Sequence, residues 1–173
     1  MVAETAARLV TVLEKYEGRD KPVSRSLPFV KDAPLRKILE GDLNELKEKV
    51  YPAKAWKNAV VLAGSILEGF LYDQLATDAP VRSKALSCSK APKDGKGNVR
   101  DLIAGEWNLA SMIAVATDLG ILTKEREKSI DQVLRDYRNF VHPIKELRAG
   151  HSLDEPEAMM AVGALDGICK HLS

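Results

Sequence analysis

Between residues 52 and 78 the chain reads PAKAWKNAVVLAGSILEGFLYDQLATD, and this segment constrains the fold more than any other. Trp56, Val60, Ala63, Leu67, Phe70 and Leu71 recur at helical spacing, which puts them on one face of an α-helix. It is the most apolar segment of the chain, so it is expected to be the central helix of a bundle. Lys57 and Glu68 interrupt it, and no transmembrane helix is expected.

The remaining sequence is read around that helix, and its pattern is helical throughout, with little of the alternation that marks strands. Ala6, Leu9, Val10, Leu13 and Tyr16 form a first stripe that Gly18 ends. A loop rich in proline and basic residues follows, DKPVSRSLPFVKDAP. Leu35, Ile38, Leu39, Leu43, Leu46 and Val50 make a second stripe, with Asp32 as its N-cap, Pro34 in the first turn and an end before Pro52. After the central segment a short helix is expected over residues 81–86, and APKDGKGN then has the chemistry of an exposed turn. EWNLASMIAVATDLG predicts a helix capped by Asn108 and stopped by Gly120. Thr123 caps the next helix, which Pro143 ends. A last helix starts at Ser152 or Asp154, each with a glutamate three residues on, and presents Met159, Val162, Leu165, Ile168, Cys169 and Leu172. The expected architecture is all-α: one domain over residues 1–173, an up-and-down bundle of about six or seven helices.

Bulk properties exclude several classes. Lys plus Arg is 26 against 25 for Asp plus Glu, a net charge of +1, so whole-chain charge makes no case for nucleic acid and any such case must rest on local clustering. Cys88 and Cys169 stand far apart with no C-x-x-C pair, which argues against a disulfide framework or a cysteine zinc site and fits a reducing cytoplasm. The first helix carries Glu4, Arg8, Glu14 and Lys15, so it does not read as a signal peptide.

The stretch with the most chemistry is LRDYRNFVHP, residues 134–143. At roughly 100° per residue, Ile130, Val133, Tyr137, Phe140 and Val141 gather on one side of a helix. Arg135, Arg138, Asn139 and His142 gather on the other, with Asp131 beside them. Arg135 and His142 are separated by two turns, roughly 10 Å along the axis. Pro143 sets the histidine at a helix C-terminus, where the dipole favours imidazolium and the arginines oppose it. A histidine held near neutral pKa suits acid–base chemistry at pH 7. It can take a 2′-OH proton while the arginine forks stabilise charge growing on a phosphate. The three histidines, His142, His151 and His171, form no metal-ligand pattern, so no metal or cofactor is expected. The competing reading is an ordinary surface helix, with Arg138 paired to Asp131 or a neighbour and His142 satisfying a carbonyl.

This pattern resembles the HEPN superfamily of all-α nucleotide-binding bundles. Their mark is an arginine, a polar residue, several variable positions and a histidine, read here as RDYRNFVH over 135–142. AGSILEGFL, 63–71, is similar to the core helix of bacterial members, and WNLASMIAVATDLGIL, 107–122, to the segment before their motif. The likeness covers residues 52–172, and residues 1–50 have no counterpart in it. It implies a metal-independent endoribonuclease, a toxin or phage-defence effector, acting as a homodimer whose two motifs face one cleft. It implies Arg135 and His142 as the catalytic pair and Asp136, Arg138 and Asn139 as polar support. Glu68 is placed to pair with Arg135 or Arg138 in the same cleft. The alternative is a non-catalytic HEPN-like module that binds RNA or a partner protein through that surface. Members partnered by an antitoxin often carry a tyrosine soon after the histidine, where this chain has Pro143 and Ile144.

Residues 82–100 hold Arg82, Lys84, Lys90, Lys93, Lys96 and Arg100 against Asp94 alone, a local charge of +5. They are candidate RNA contacts, and a solvated loop is the competing reading. Gly95-Lys96-Gly97-Asn98 is not a phosphate loop, since no strand precedes it and no Ser or Thr follows the lysine. Cys88 has no catalytic partner motif and reads as inert. Trp56 and Trp107 read as core or interface anchors.

Overall fold

A computed structural model describes residues 26–130, 144, 147, 148 and 153–173. The stripe over residues 6–16 and the whole of LRDYRNFVHP, residues 134–143, lie outside the described residues. The chain is all-α. Helix α1 spans Ala33–Glu45 and runs into a π-helical turn, Leu46–Val50. Helix α2 spans Trp56–Ala76, α3 Ala79–Ser87, α4 Leu109–Asp118, α5 residues 124–130 and α6 Glu155–Leu172.

Helix α2 is the centre. It packs against α6, α4, α1, α3 and the π-turn, and it is buried on several sides: Val60, Ala63, Ile66, Leu67, Phe70 and Leu71 are all within 1% of complete burial. By length and composition alone it would pass for a membrane span, with 21 residues and a mean hydropathy of 1.3, yet 61% of that window is covered by the rest of the protein. Its apolar surface is spent on the core, where each large side chain contributes about 1.5–3 kcal/mol.

The caps follow the local sequence. The Asp32 side chain accepts the Leu35 N–H at 2.8 Å with Pro34 in the first turn, Asn108 accepts from Ser111 at 2.9 Å, and Thr123 accepts from Arg126 at 3.3 Å. Gly120 takes φ +73° just beyond α4, a conformation costly for a residue with a Cβ. Asp154 and Glu157 form the capping box of α6. Asp78, not singled out in the sequence, caps α3 by accepting from Val81. Pro52 lacks the N–H needed to prolong α1, and the helix ends first in the wider i→i+5 register, Tyr51 N–H donating to the Leu46 carbonyl at 2.9 Å.

Two expectations need correction. Ile38 is 60% exposed: α1 buries Leu39 and Leu43, the π-turn buries Leu46, and a residue one step before Leu39 is turned about 100° away from it. On α6 the buried face is Ala158, Ala161, Leu165 and Ile168, while Met159 is 61% exposed, because the small alanines let α6 approach α2. The segment before α1 is a loop, as expected, and it also serves the core, for Leu27 and Val30 are buried and Phe29 meets Phe70 edge to face at 5.1 Å.

That segment is held by Asp73, the one buried charged side chain among the described residues. Its two oxygens accept the backbone N–H groups of Lys31 and Asp32, both at 2.9 Å, and the hydroxyl of Thr77 at 3.0 Å. Asp73 thus terminates the chain entering α1 from inside the central helix. Lys47 of the π-turn pairs with Asp166 of α6, so both ends of α1 are tied to other elements.

Candidate functional site

Arg135, Asp136, Arg138, Asn139 and His142 lie outside the described residues. The helix expected to carry them is described at its start. Thr123 caps it, Glu125 lies in its first turn, and its own backbone N–H with the Thr123 hydroxyl holds the Glu125 carboxyl below the usual range. Ile130 is completely buried. Arg126 lies across Gly167, the point where α5 and α6 come close. Of the three histidines, His171 is described, and its Nε2 bonds the Ile121 carbonyl at 2.9 Å, joining the end of α6 to the turn before α5.

Glu68 projects from α2 beside a groove of about 200 Å³, lined also by Leu35, Tyr72, Leu102, Trp107 and Met112. The groove is mainly apolar. Gly69 lies in its floor because α1 passes close: a Cβ there would meet a Leu39 methyl at 2.6 Å. Trp107 is 3% exposed and so a core anchor, and its indole N–H donates to the Arg100 carbonyl at 2.8 Å. One wall of the Glu68 groove is therefore fastened to the end of the basic segment. Trp56 is half-buried and packs edge to face on Tyr51 at 5.4 Å.

The six basic candidates divide by what their side chains do. Arg82 donates an Nη1 hydrogen bond to the Ala76 carbonyl at 3.0 Å, closing the C-terminal end of α2, where a cation is favoured. Lys90 pairs with Asp118 at 3.3 Å. Asp118 also accepts the Cys88 thiol at 3.3 Å, and these bonds, the thiol's first, hold its carboxyl below the usual range. Lys84, Lys93 and Lys96 are exposed and make no side-chain bond among the described residues. Arg100 is exposed, with its Nε directed at the Lys93 carbonyl at 3.4 Å.

Residues 92–100, expected as a plain exposed turn, form a small hairpin closed by an isolated bridge between Lys93 and Val99. The Asp94 carboxylate accepts the N–H of Lys96 at 2.8 Å, the N–H of Asn98 at 2.9 Å and the Asn98 amide at 3.2 Å. These bonds, those from Asn98 foremost, lower its pKa. The signal was present as an aspartate before Gly-Lys-Gly-Asn, since aspartate readily bonds the backbone two residues on.

Cys88 and Cys169 are both in the thiol form, with no disulfide between them. Among the described residues no three His, Cys, Asp or Glu side chains gather closely enough to hold a metal ion. No family model, curated protein or solved structure matches the chain. The fold defines an all-α bundle, and the functional reading rests on its residues.

Proposed function

We propose that the chain is a metal-independent endoribonuclease of the HEPN type, a toxin or phage-defence effector acting as a homodimer. Arg135 and His142 are its catalytic pair, and Asp136, Arg138 and Asn139 support them. The observation that carries the reading is the complete burial of Ile130, from which the sequence period of the motif is counted. Ile130 is fully buried, and the helical period counted on from it groups Val133, Tyr137, Phe140 and Val141 in sequence with that buried side. Arg135, Arg138, Asn139 and His142 fall in the opposite phase, centred roughly 120° away. Such a stripe, doubled across a dimer, supplies a general base and four guanidinium groups to one phosphate.

In the proposed reaction the imidazole of His142 takes the proton from a ribose 2′-OH. The 2′-oxygen then attacks the adjacent phosphorus, the bond to the 5′-oxygen breaks, and that oxygen takes a proton from water, while the imidazolium of His142 returns its proton to solvent. The products are a 2′,3′-cyclic phosphate and a 5′-hydroxyl. Arginine forks neutralise the charge that grows on the non-bridging oxygens.

The test is incubation of mixed RNA with the protein in excess chelator, alongside His142→Ala and Arg135→Ala. Cleavage by the unsubstituted chain, lost in both variants with the helical content retained, supports the reading. Intact RNA in every lane removes catalysis. Binding that weakens in Arg135→Ala without any cleavage points instead to the non-catalytic module.

A further inference from the structure

We propose that the hairpin over residues 92–100 is a preorganised docking element for the phosphate backbone of single-stranded RNA. The choice of RNA as the polyanion rests on the ribonuclease reading. The hairpin itself rests on geometry. Its turn is shaped by three hydrogen bonds into one carboxylate, that of Asp94, and by Gly97 at φ +87°. Its base is shut by the Arg100 N–H on the Pro92 carbonyl at 2.9 Å. It is anchored to the core through Trp107, buried beneath the Arg100 carbonyl.

On this fixed frame stand three cations. Lys93 and Lys96 are exposed, with no side-chain partner among the described residues, and Arg100 is exposed, its Nε directed at the Lys93 carbonyl and its charge acting on Asp94. By contrast Arg82 and Lys90 are engaged by the protein itself. A charge cluster that existed only for solvation would not need a turn held from within. Ordering the backbone that carries the lysines before binding lowers the entropy lost when a strand docks. No aromatic ring is offered beside them, since Trp107 is buried, so the contact is to phosphate and carries no base preference.

The experiment measures binding of a fluorescent mixed-sequence single-stranded RNA by anisotropy over a salt series. All proteins carry His142→Ala, so that the strand stays whole. Lys93→Gln/Lys96→Gln/Arg100→Gln is expected to weaken binding about tenfold or more at low salt and to reduce the slope of log K against log salt by about 2, at about 0.7 per lost contact. Lys37→Gln/Lys49→Gln/Lys124→Gln, three exposed lysines outside the hairpin, matches the loss of three charges. Asp94→Ala is the sharper variant. It makes the hairpin more positive, so bulk attraction predicts tighter binding, whereas a preorganised element predicts weaker binding.

Circular dichroism checks each fold. If the triple variant is damaged, Lys96→Gln alone, at the turn tip, is expected to lower the slope by about 0.7. A triple variant equal to its parent, tighter binding by Asp94→Ala, or no RNA binding by the parent overturns the proposal. Cleavage is scored separately with His142 present. Hairpin-dependent binding without cleavage removes the nuclease and keeps the hairpin. Cleavage with hairpin-independent binding does the reverse.

Discussion

Asp73 shows how much one side chain can decide. Its carboxylate is fully buried in the central helix and accepts two backbone N–H groups from a segment 41 and 42 residues earlier. Asp73→Ala leaves those donors without an acceptor and is expected to cost about 3 kcal/mol in urea unfolding. Asp73→Asn, which keeps one acceptor oxygen, is expected to cost less. The sequence did not reveal this role, because an aspartate between Tyr72 and Gln74 reads as the polar edge of a helix, and its partners are distant in the chain. A second residue-level prediction concerns acid. Asp78, which caps α3, has its pKa lowered, first by the Val81 N–H and then by Lys31. A carboxylate depressed in the folded state contributes stability that is present above its unfolded pKa and fades as pH falls through the folded value. Unfolding followed below the ordinary value of 3.8 is expected to show that loss, and Asp78→Asn is expected to flatten it.

At the scale of elements the caps were legible and the faces less so. Asp32, Asn108, Thr123 and Asp154 each do what their local sequence announces, because capping needs only a side-chain oxygen and an N–H two or three residues on. Asn108→Ala is expected to lower stability by about 1 kcal/mol, read as a shifted urea midpoint. Ile38 and Met159 were assigned to buried faces and stand exposed, because which neighbour covers a helix is a property of the bundle. Glycines sharpen the point. A Cβ at Gly69 would strike a methyl of Leu39, itself a core residue, whereas one at Gly167 would strike the guanidinium of Arg126, which is half-exposed. Gly69→Ala is therefore expected to cost about 1–3 kcal/mol through overpacking. In Gly167→Ala the arginine swings aside, and a gain in helix propensity of up to about 1 kcal/mol offsets the disturbance. Thermal unfolding of the two variants side by side checks the contrast.

For the whole molecule, the all-α character was readable because helical periodicity runs through nearly every segment, and the central position of α2 followed from its excess of apolar residues. The partition of the basic cluster was not readable. Arg82, Lys90 and Lys96 look alike in sequence, and only the fold shows that one closes a helix end, one pairs with Asp118 and one stands free at a turn. The proposed function rests on the sequence motif, Arg135 through His142, counted on at helical period from a buried Ile130. The central claim is that His142 removes a proton from RNA. Its most direct measurement is the initial rate of cleavage of an end-labelled RNA in excess chelator, for the unsubstituted chain and for His142→Ala of equal thermal stability. The account predicts a rate lower by about 10² to 10⁴ in the variant; equal rates, or no cleavage by either protein, would contradict it.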